Sequence, residues 1–222
     1  MKFEAILFDC DGVLVDSEPI TNGVLRDMLA EAGWFMTAQE CMQFFVGKTV
    51  REERATIEAN TGQPLTDDWM QLFYRRRNQA LDARLEIVAG AHTAVAAAQA
   101  HTLQRIACAS GADRFKVEMQ LTKVGLIGFF EGHIFSGHEM ERSKPAPDVY
   151  LAAAQHLKVP AQQCLVIEDS ATGVAAGVAA GATVWAYCPL PEQGPALRQA
   201  GASRLFDHMA ELPQLLATSS AD

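Results

Sequence analysis

Five short apolar runs constrain the fold of this chain more than any other feature: FEAILFD (3–9), QRIACAS (104–110), HIFSG (133–137), QCLVIED (163–169) and TVWAYC (183–188). They are continuous rather than alternating in polarity, as expected of strands covered on both faces. Between the later ones lie helix-length segments, AHTAVAAAQAH, DRFKVEMQLTKVGL, DVYLAAAQHL and ATGVAAGVAAGA. Strand and helix in alternation predict an α/β fold, a parallel sheet wrapped by helices. With 222 residues the chain can bury one such core and a smaller appended unit.

The alternation is broken once. From about Ser17 to Glu86 the patterns are helical only: ITNGVLRDMLAEAG, TAQECMQFFV, REERATIEAN and DDWMQLFYRRRNQALDARL. The expected organisation is therefore an α/β domain built from 1–16 and 87–222, with 17–86 as a helical insertion. Met and Phe recurring at helical spacing in CMQFFV and WMQLFY are expected to form the insertion's own core.

A formal net charge of −9 argues against a general nucleic-acid binder, which would carry basic clusters. The five cysteines, 10, 41, 108, 164 and 188, are scattered and never form a CxxC pair. That spacing disfavours a zinc site or a disulfide framework and suits a reducing cytoplasm. No run approaches the 18 apolar residues of a membrane span. The expectation is a soluble cytoplasmic protein, a monomer, with neither nucleic acid nor membrane as partner.

In a parallel α/β sheet ligands bind beyond the carboxyl ends of the strands. Collecting the residues found there gives Asp9 and Asp11 after the first run, Ser110 after the second, and Glu168 and Asp169 after the fourth. Lys144 joins them from RSKPAPD, whose prolines restrict the backbone before a helix. Crowded carboxylates repel one another unless a cation offsets the charge. Hard oxygen donors of this kind suit Mg²⁺, which keeps waters and a substrate phosphate as further ligands. One carboxylate can then attack phosphorus while another moves a proton, and Lys144 and Ser110 are the right groups to hold phosphoryl oxygens.

DCDGVLVDSE, ASG, SKPAPD and IEDSATG, in that order, resemble the four motifs of the haloacid dehalogenase superfamily, in its branch of sugar-phosphate phosphatases and β-phosphoglucomutase. The resemblance runs from Ile6 to the strand near Trp185. It implies a Rossmann-like core with an inserted helical cap that closes over a small phosphorylated metabolite. It implies Asp9 as the nucleophile that is phosphorylated, Asp11 as general acid and then base, and Ser110 and Lys144 as phosphoryl ligands. Mg²⁺ would be held by Asp9, the backbone carbonyl of Asp11, Glu168 and Asp169. Dehalogenases of the superfamily lack an acid at the Asp11 position, so carbon–halogen cleavage is disfavoured. In β-phosphoglucomutases a histidine stands five residues after the position of Asp16. Here it is Thr21, which favours hydrolysis over isomerisation.

Substrate contacts are expected from Gly111, where relatives often carry Asn or Ala, and from the insertion. FVGKTVREE resembles the family's specificity loop and offers Lys48 and Arg51, while YRRRN offers Arg77. Blander readings exist for single residues: an Asp-Gly turn, Ser110 as a helix cap, Lys144 as a solvated lysine, Glu168 and Asp169 as partners of a helix dipole. The rival functions are a phosphosugar isomerase and a non-catalytic module binding a phosphometabolite or a partner.

Overall fold

The computed structural model describes residues 3–45 and 49–219. Among them six parallel strands form one sheet: β1 (Ala5–Phe8), β2 (Ile106–Ser110), β3 (Ile134–Ser136), β4 (Cys164–Glu168), β5 (Thr183–Tyr187) and β6 (Arg204–Phe206). Their spatial order is β3-β2-β1-β4-β5-β6. The first five strands lie in the five apolar runs. The sixth has no such run behind it, being three residues at the sheet edge; its Arg204 guanidinium lies 4.6 Å from the centroid of the Trp185 ring.

β1 is buried throughout and pairs with both β2 and β4. Alternate side chains serve opposite faces of the sheet. Ala5 and Leu7 pack with Ala107, Val166, Val184 and Val149 in one cluster. Phe8, on the opposite face, meets Phe130 edge to face. Strand order runs outward in one direction from β1 to β3 and in the other from β4 to β6. Direction therefore changes between β1 and β4, where crevices for ligands open in such sheets.

The chain divides into two compact units, one comprising residues up to Asp16 and from Glu86, the other Ser17–Leu85. The second unit holds α1 (Glu18–Glu31), α2 (Ala38–Phe45), α3 (Arg54–Thr61) and α4 (Asp67–Arg84). Leu25, Leu29, Phe45, Ile57, Met70 and Phe73 make its separate core. Thr66 caps α4 by accepting a hydrogen bond from Trp69 N at 3.2 Å. The sheet unit carries α5 (Ala91–His101), α6 (Arg114–Lys123), α7 (Ile127–Phe130), α8 (Asp148–His156), α9 (Ala171–Ala179), α10 (Gly194–Gln199) and α11 (Leu212–Ser219). Among the described residues no helix is long and apolar enough to cross a membrane.

The Gly/Ala-rich α9 packs close against the sheet. A Cβ on Gly177 would lie 2.7 Å from Val184 Cγ2. Alanine there gains about 1 kcal/mol of helix propensity and costs about 1–3 kcal/mol in overpacking. In α1, a Cβ on Gly23 would meet nothing within 4 Å. Gly177→Ala is thus expected to lower the thermal midpoint of unfolding, and Gly23→Ala to raise it by an amount worth about 0.5–1 kcal/mol. Thermal melts of the two variants check the opposite signs.

Candidate active site

Asp9 follows β1 directly, and its backbone N–H extends the ladder to Ile167 O at 3.0 Å. The chain then turns tightly: Gly12 adopts a φ of 76°, Gly12 N donates to Val15 O, and Leu14 N to Cys10 O. Glycine is required at 12 on a second count, since a Cβ there would collide with the Asp169 carboxylate. The turn after β1 and the end of β4 are thus pressed together. One carboxylate oxygen from each of Asp9, Glu168 and Asp169 can be chosen so that all lie within 4.8 Å of one another.

Lys144 is what lets two of these acids be buried. Its ammonium donates to Asp9 Oδ1 at 2.6 Å and to Glu168 Oε1 at 2.7 Å, and it lies 4.7 Å from the centroid of the Tyr150 ring. It is therefore not a solvated loop lysine; its side chain is 9% exposed. Burial alone would lower the lysine pKa, but the Asp9 and Glu168 carboxylates outweigh it and hold the group well above its ordinary value.

Glu168 is saturated with donors. Oε1 also accepts from Tyr150 Oη at 2.8 Å. Oε2 accepts from Asp169 N, Ser170 N and Ser170 Oγ at 2.9, 3.0 and 3.1 Å. Burial opposes its charge, yet Lys144, the Ser170 N–H and Tyr150 together hold its pKa below the usual carboxylate value. Ser170 in turn caps α9 by accepting from Gly173 N at 3.0 Å. Gly173 has no room for a side chain, because a Cβ would overlap Glu168.

Asp9 responds in the other direction. Desolvation raises its pKa to about 7, Lys144 counteracts, and the Glu168 and Asp11 charges add to the rise. A divalent cation among these oxygens would relieve that strain. The donor set fits one: Asp9, Glu168 and Asp169 bring carboxylate oxygens within 4.8 Å of one another, and hard oxygen donors suit a divalent ion. Glu168, with both oxygens already accepting, suits the role of holding Lys144 and contributing charge.

Ser110, the last residue of β2, is 1% exposed, and its Oγ accepts from Ala112 N at 3.1 Å. It does not cap α6. That is done by Asp113, which accepts from Lys116 N at 2.9 Å. A Cβ on Gly111 would meet nothing within 4 Å. Asp11 is held by residues that the motifs did not single out. Lys116 Nζ donates to both its oxygens at 2.8 and 2.9 Å, and Gln120 Nε2 to Oδ1 at 2.8 Å. Tyr150 is a third residue not anticipated from the sequence.

The basic residues of the helical unit are dispersed in their partners. Lys48 lies outside the described residues. Arg51 is half exposed, 3.4 Å from Asp67. Arg76 is paired with Glu31 at 2.7 Å. Arg77 is buried, donating to Asn78 Oδ1 at 2.8 and 3.0 Å and lying 4.9 Å from the centroid of the Tyr74 ring.

A family model, "haloacid dehalogenase-like hydrolase", matches residues 3–181. The 6-phosphogluconate phosphatase of Escherichia coli strain K12 is 29% identical over 215 residues, spanning 96% of this chain and 95% of that protein. The fructose-1-phosphate phosphatase of the same organism is 28% identical, over 81% of this chain and 94% of its own length. A hydrolase structure from Deinococcus radiodurans R1, with bound phosphate and sodium, superposes with a TM-score of 0.80 at 34% identity, covering 99% of this chain and 97% of that one.

The raised pKa of Asp9 has a measurable sign. Folding takes up a proton between 3.8, the ordinary value, and about 7, so this group's contribution to stability falls as pH rises through that window. Asp9→Asn removes the titration and leaves Lys144 paired with Glu168. In chelator, the melting temperature of the variant minus that of the wild type is expected to grow more positive from pH 4 to pH 7, as differential scanning calorimetry would show.

Proposed function

The chain belongs to the haloacid dehalogenase-like hydrolase family, and on that premise we propose that it is a Mg²⁺-dependent phosphatase of a small sugar or sugar-acid phosphate, working through an aspartyl-phosphate at Asp9. Phosphatase activity is supported by the relatives that carry that activity in their names. The observation that carries the finer reading is the placement of Asp9: buried, with one oxygen on Lys144 and with Glu168 and Asp169 beside it.

An oxygen of Asp9 attacks the phosphorus of the ester, and the bond from phosphorus to the leaving oxygen breaks. Asp11 gives its proton to that oxygen, and the alcohol departs. Asp11, now a carboxylate, takes a proton from water as the water oxygen attacks phosphorus; the acyl phosphate bond breaks and Asp9 is regenerated. Lys144 and Ser110 hold phosphoryl oxygens, where positive charge and hydrogen-bond donors act on developing charge.

Asp9, Asp169 and the Asp11 carbonyl would hold Mg²⁺, with Glu168 adding charge behind Lys144. When bound, the ion supplies neutralisation of the phosphoryl oxygens and a template for in-line displacement. Substrate choice is assigned to the helical unit. Arg51, half exposed, is the basic residue there best suited to a second anionic group, such as the carboxylate of a sugar acid. Thr21, in the position where mutases carry histidine, fits hydrolysis. The five buried cysteines fit a reducing compartment such as the cytoplasm.

Phosphate release from a panel of sugar, sugar-acid and small-acid phosphates is expected with Mg²⁺ and not with chelator. Asp9→Asn is expected to reduce the rate on the order of 10³-fold or more, as loss of a nucleophile does. Release that persists undiminished in chelator or in the variant would count against the assignment.

A further inference from the structure

Apolar burial explains only part of how the α6 helix is turned. Its buried residues are Lys116, Val117, Gln120 and Leu121, whereas Phe115, beside them in sequence, is 66% exposed. A lysine 6% exposed and a glutamine 0% exposed stand inside while a phenylalanine stands outside. Burying an ion pair carries a desolvation penalty that attraction must first repay, and an apolar replacement often does as well or better. Stability alone is a poor reason to place a lysine there.

Both buried polar groups converge on one carboxyl group. Spaced i, i+4, Lys116 and Gln120 rise from the same helix face and make three hydrogen bonds to Asp11, at 2.8, 2.9 and 2.8 Å. Gln120 is itself oriented: Cys10 Sγ lies 3.6 Å from its Oε1 as donor, which turns the amide nitrogen toward Asp11. Asp113 fixes the start of the helix by accepting from Lys116 N. Each contact restricts where the Asp11 carboxyl group can point.

We propose that Lys116 and Gln120 are positioning residues for the reaction, holding the Asp11 carboxyl group in the orientation from which it exchanges a proton with the leaving oxygen and the attacking water. The proposal rests on the phosphatase reading above. It says that α6 carries a second layer behind Asp11, as Tyr150 and Glu168 form one behind Lys144. Neither residue touches phosphorus or the scissile oxygen; both act through Asp11.

The test uses the dependence on leaving group. The kcat/KM value reports steps up to departure of the leaving group. An alkyl oxygen needs a proton at that point, and p-nitrophenolate does not. Values are measured with Mg²⁺ for p-nitrophenyl phosphate and for the alkyl phosphate that the wild type hydrolyses best, in wild type, Lys116→Met, Gln120→Leu, Asp11→Asn and Asp11→Asn/Lys116→Met. Lys116→Met is expected to lose about 10–100-fold on the alkyl ester, part of the 10²–10⁴-fold a positioned general acid contributes, and at least about ten times less on the aryl ester. Gln120→Leu should show the same skew more weakly. In the Asp11→Asn background Lys116→Met should make no further difference on the alkyl ester, because residues acting through one group are not additive. Equal losses on both esters, or additivity with Asp11→Asn, would overturn the positioning role while leaving the phosphatase reading intact. A wild type that turns over neither ester would overturn both.

Discussion

The Lys144 ammonium, shared between Asp9 and Glu168, is the contact on which the arrangement of the site depends. Two carboxylates buried this close would exclude each other or take up protons. With the lysine between them, Glu168 stays ionised, and Asp9 is left with a pKa of about 7. The residual unfavourable charge is what a cation and a phosphoryl group can use, one by joining the acids and the other by meeting the lysine. Tyr150 secures the lysine from beneath and donates to Glu168 as well. Burial and the Glu168 charge hold its phenol well above its usual pKa, so it remains a neutral donor.

Topology makes this contact between distant parts of the chain. Lys144 and Asp9 are 135 residues apart, and Lys116 and Asp11 are 105 apart. The change of direction between β1 and β4 sets Asp9 opposite the end of β4, and β2 on the other flank brings Ser110 and α6. Two glycines then set the spacing, with Gly12 leaving room for Asp169 and Gly173 leaving room for Glu168. Close approach, more than turn flexibility, is what these positions demand.

Much of this is legible in the sequence. Apolar runs in strands buried on both faces are conspicuous, and acids just past their ends mark the ligand edge of the sheet. What escaped has a physical reason in each case. β6 is an edge strand of three residues held partly by the contact of Arg204 with Trp185, so it lacks an apolar run. The segment RFKVEMQL alternates apolar and polar residues, and that pattern does not say which side of α6 faces inward. The fold leaves Phe115 outside and buries Lys116 and Gln120, because their partner is a carboxylate on another element. Tyr150 sits within an ordinary amphipathic stretch, where a phenol is indistinguishable from core. Ser110 as a helix cap was a reasonable alternative, and only the geometry shows that Asp113 fills that place.

The claim with most resting on it is that Asp9 becomes covalently phosphorylated. Rapid quenching during turnover, borohydride reduction of acyl phosphates and peptide mass spectrometry would identify the modified residue directly. The expected result is homoserine at position 9, appearing only with substrate and Mg²⁺. Reduction at another carboxylate, or at none while phosphate release proceeds at full rate, would contradict it.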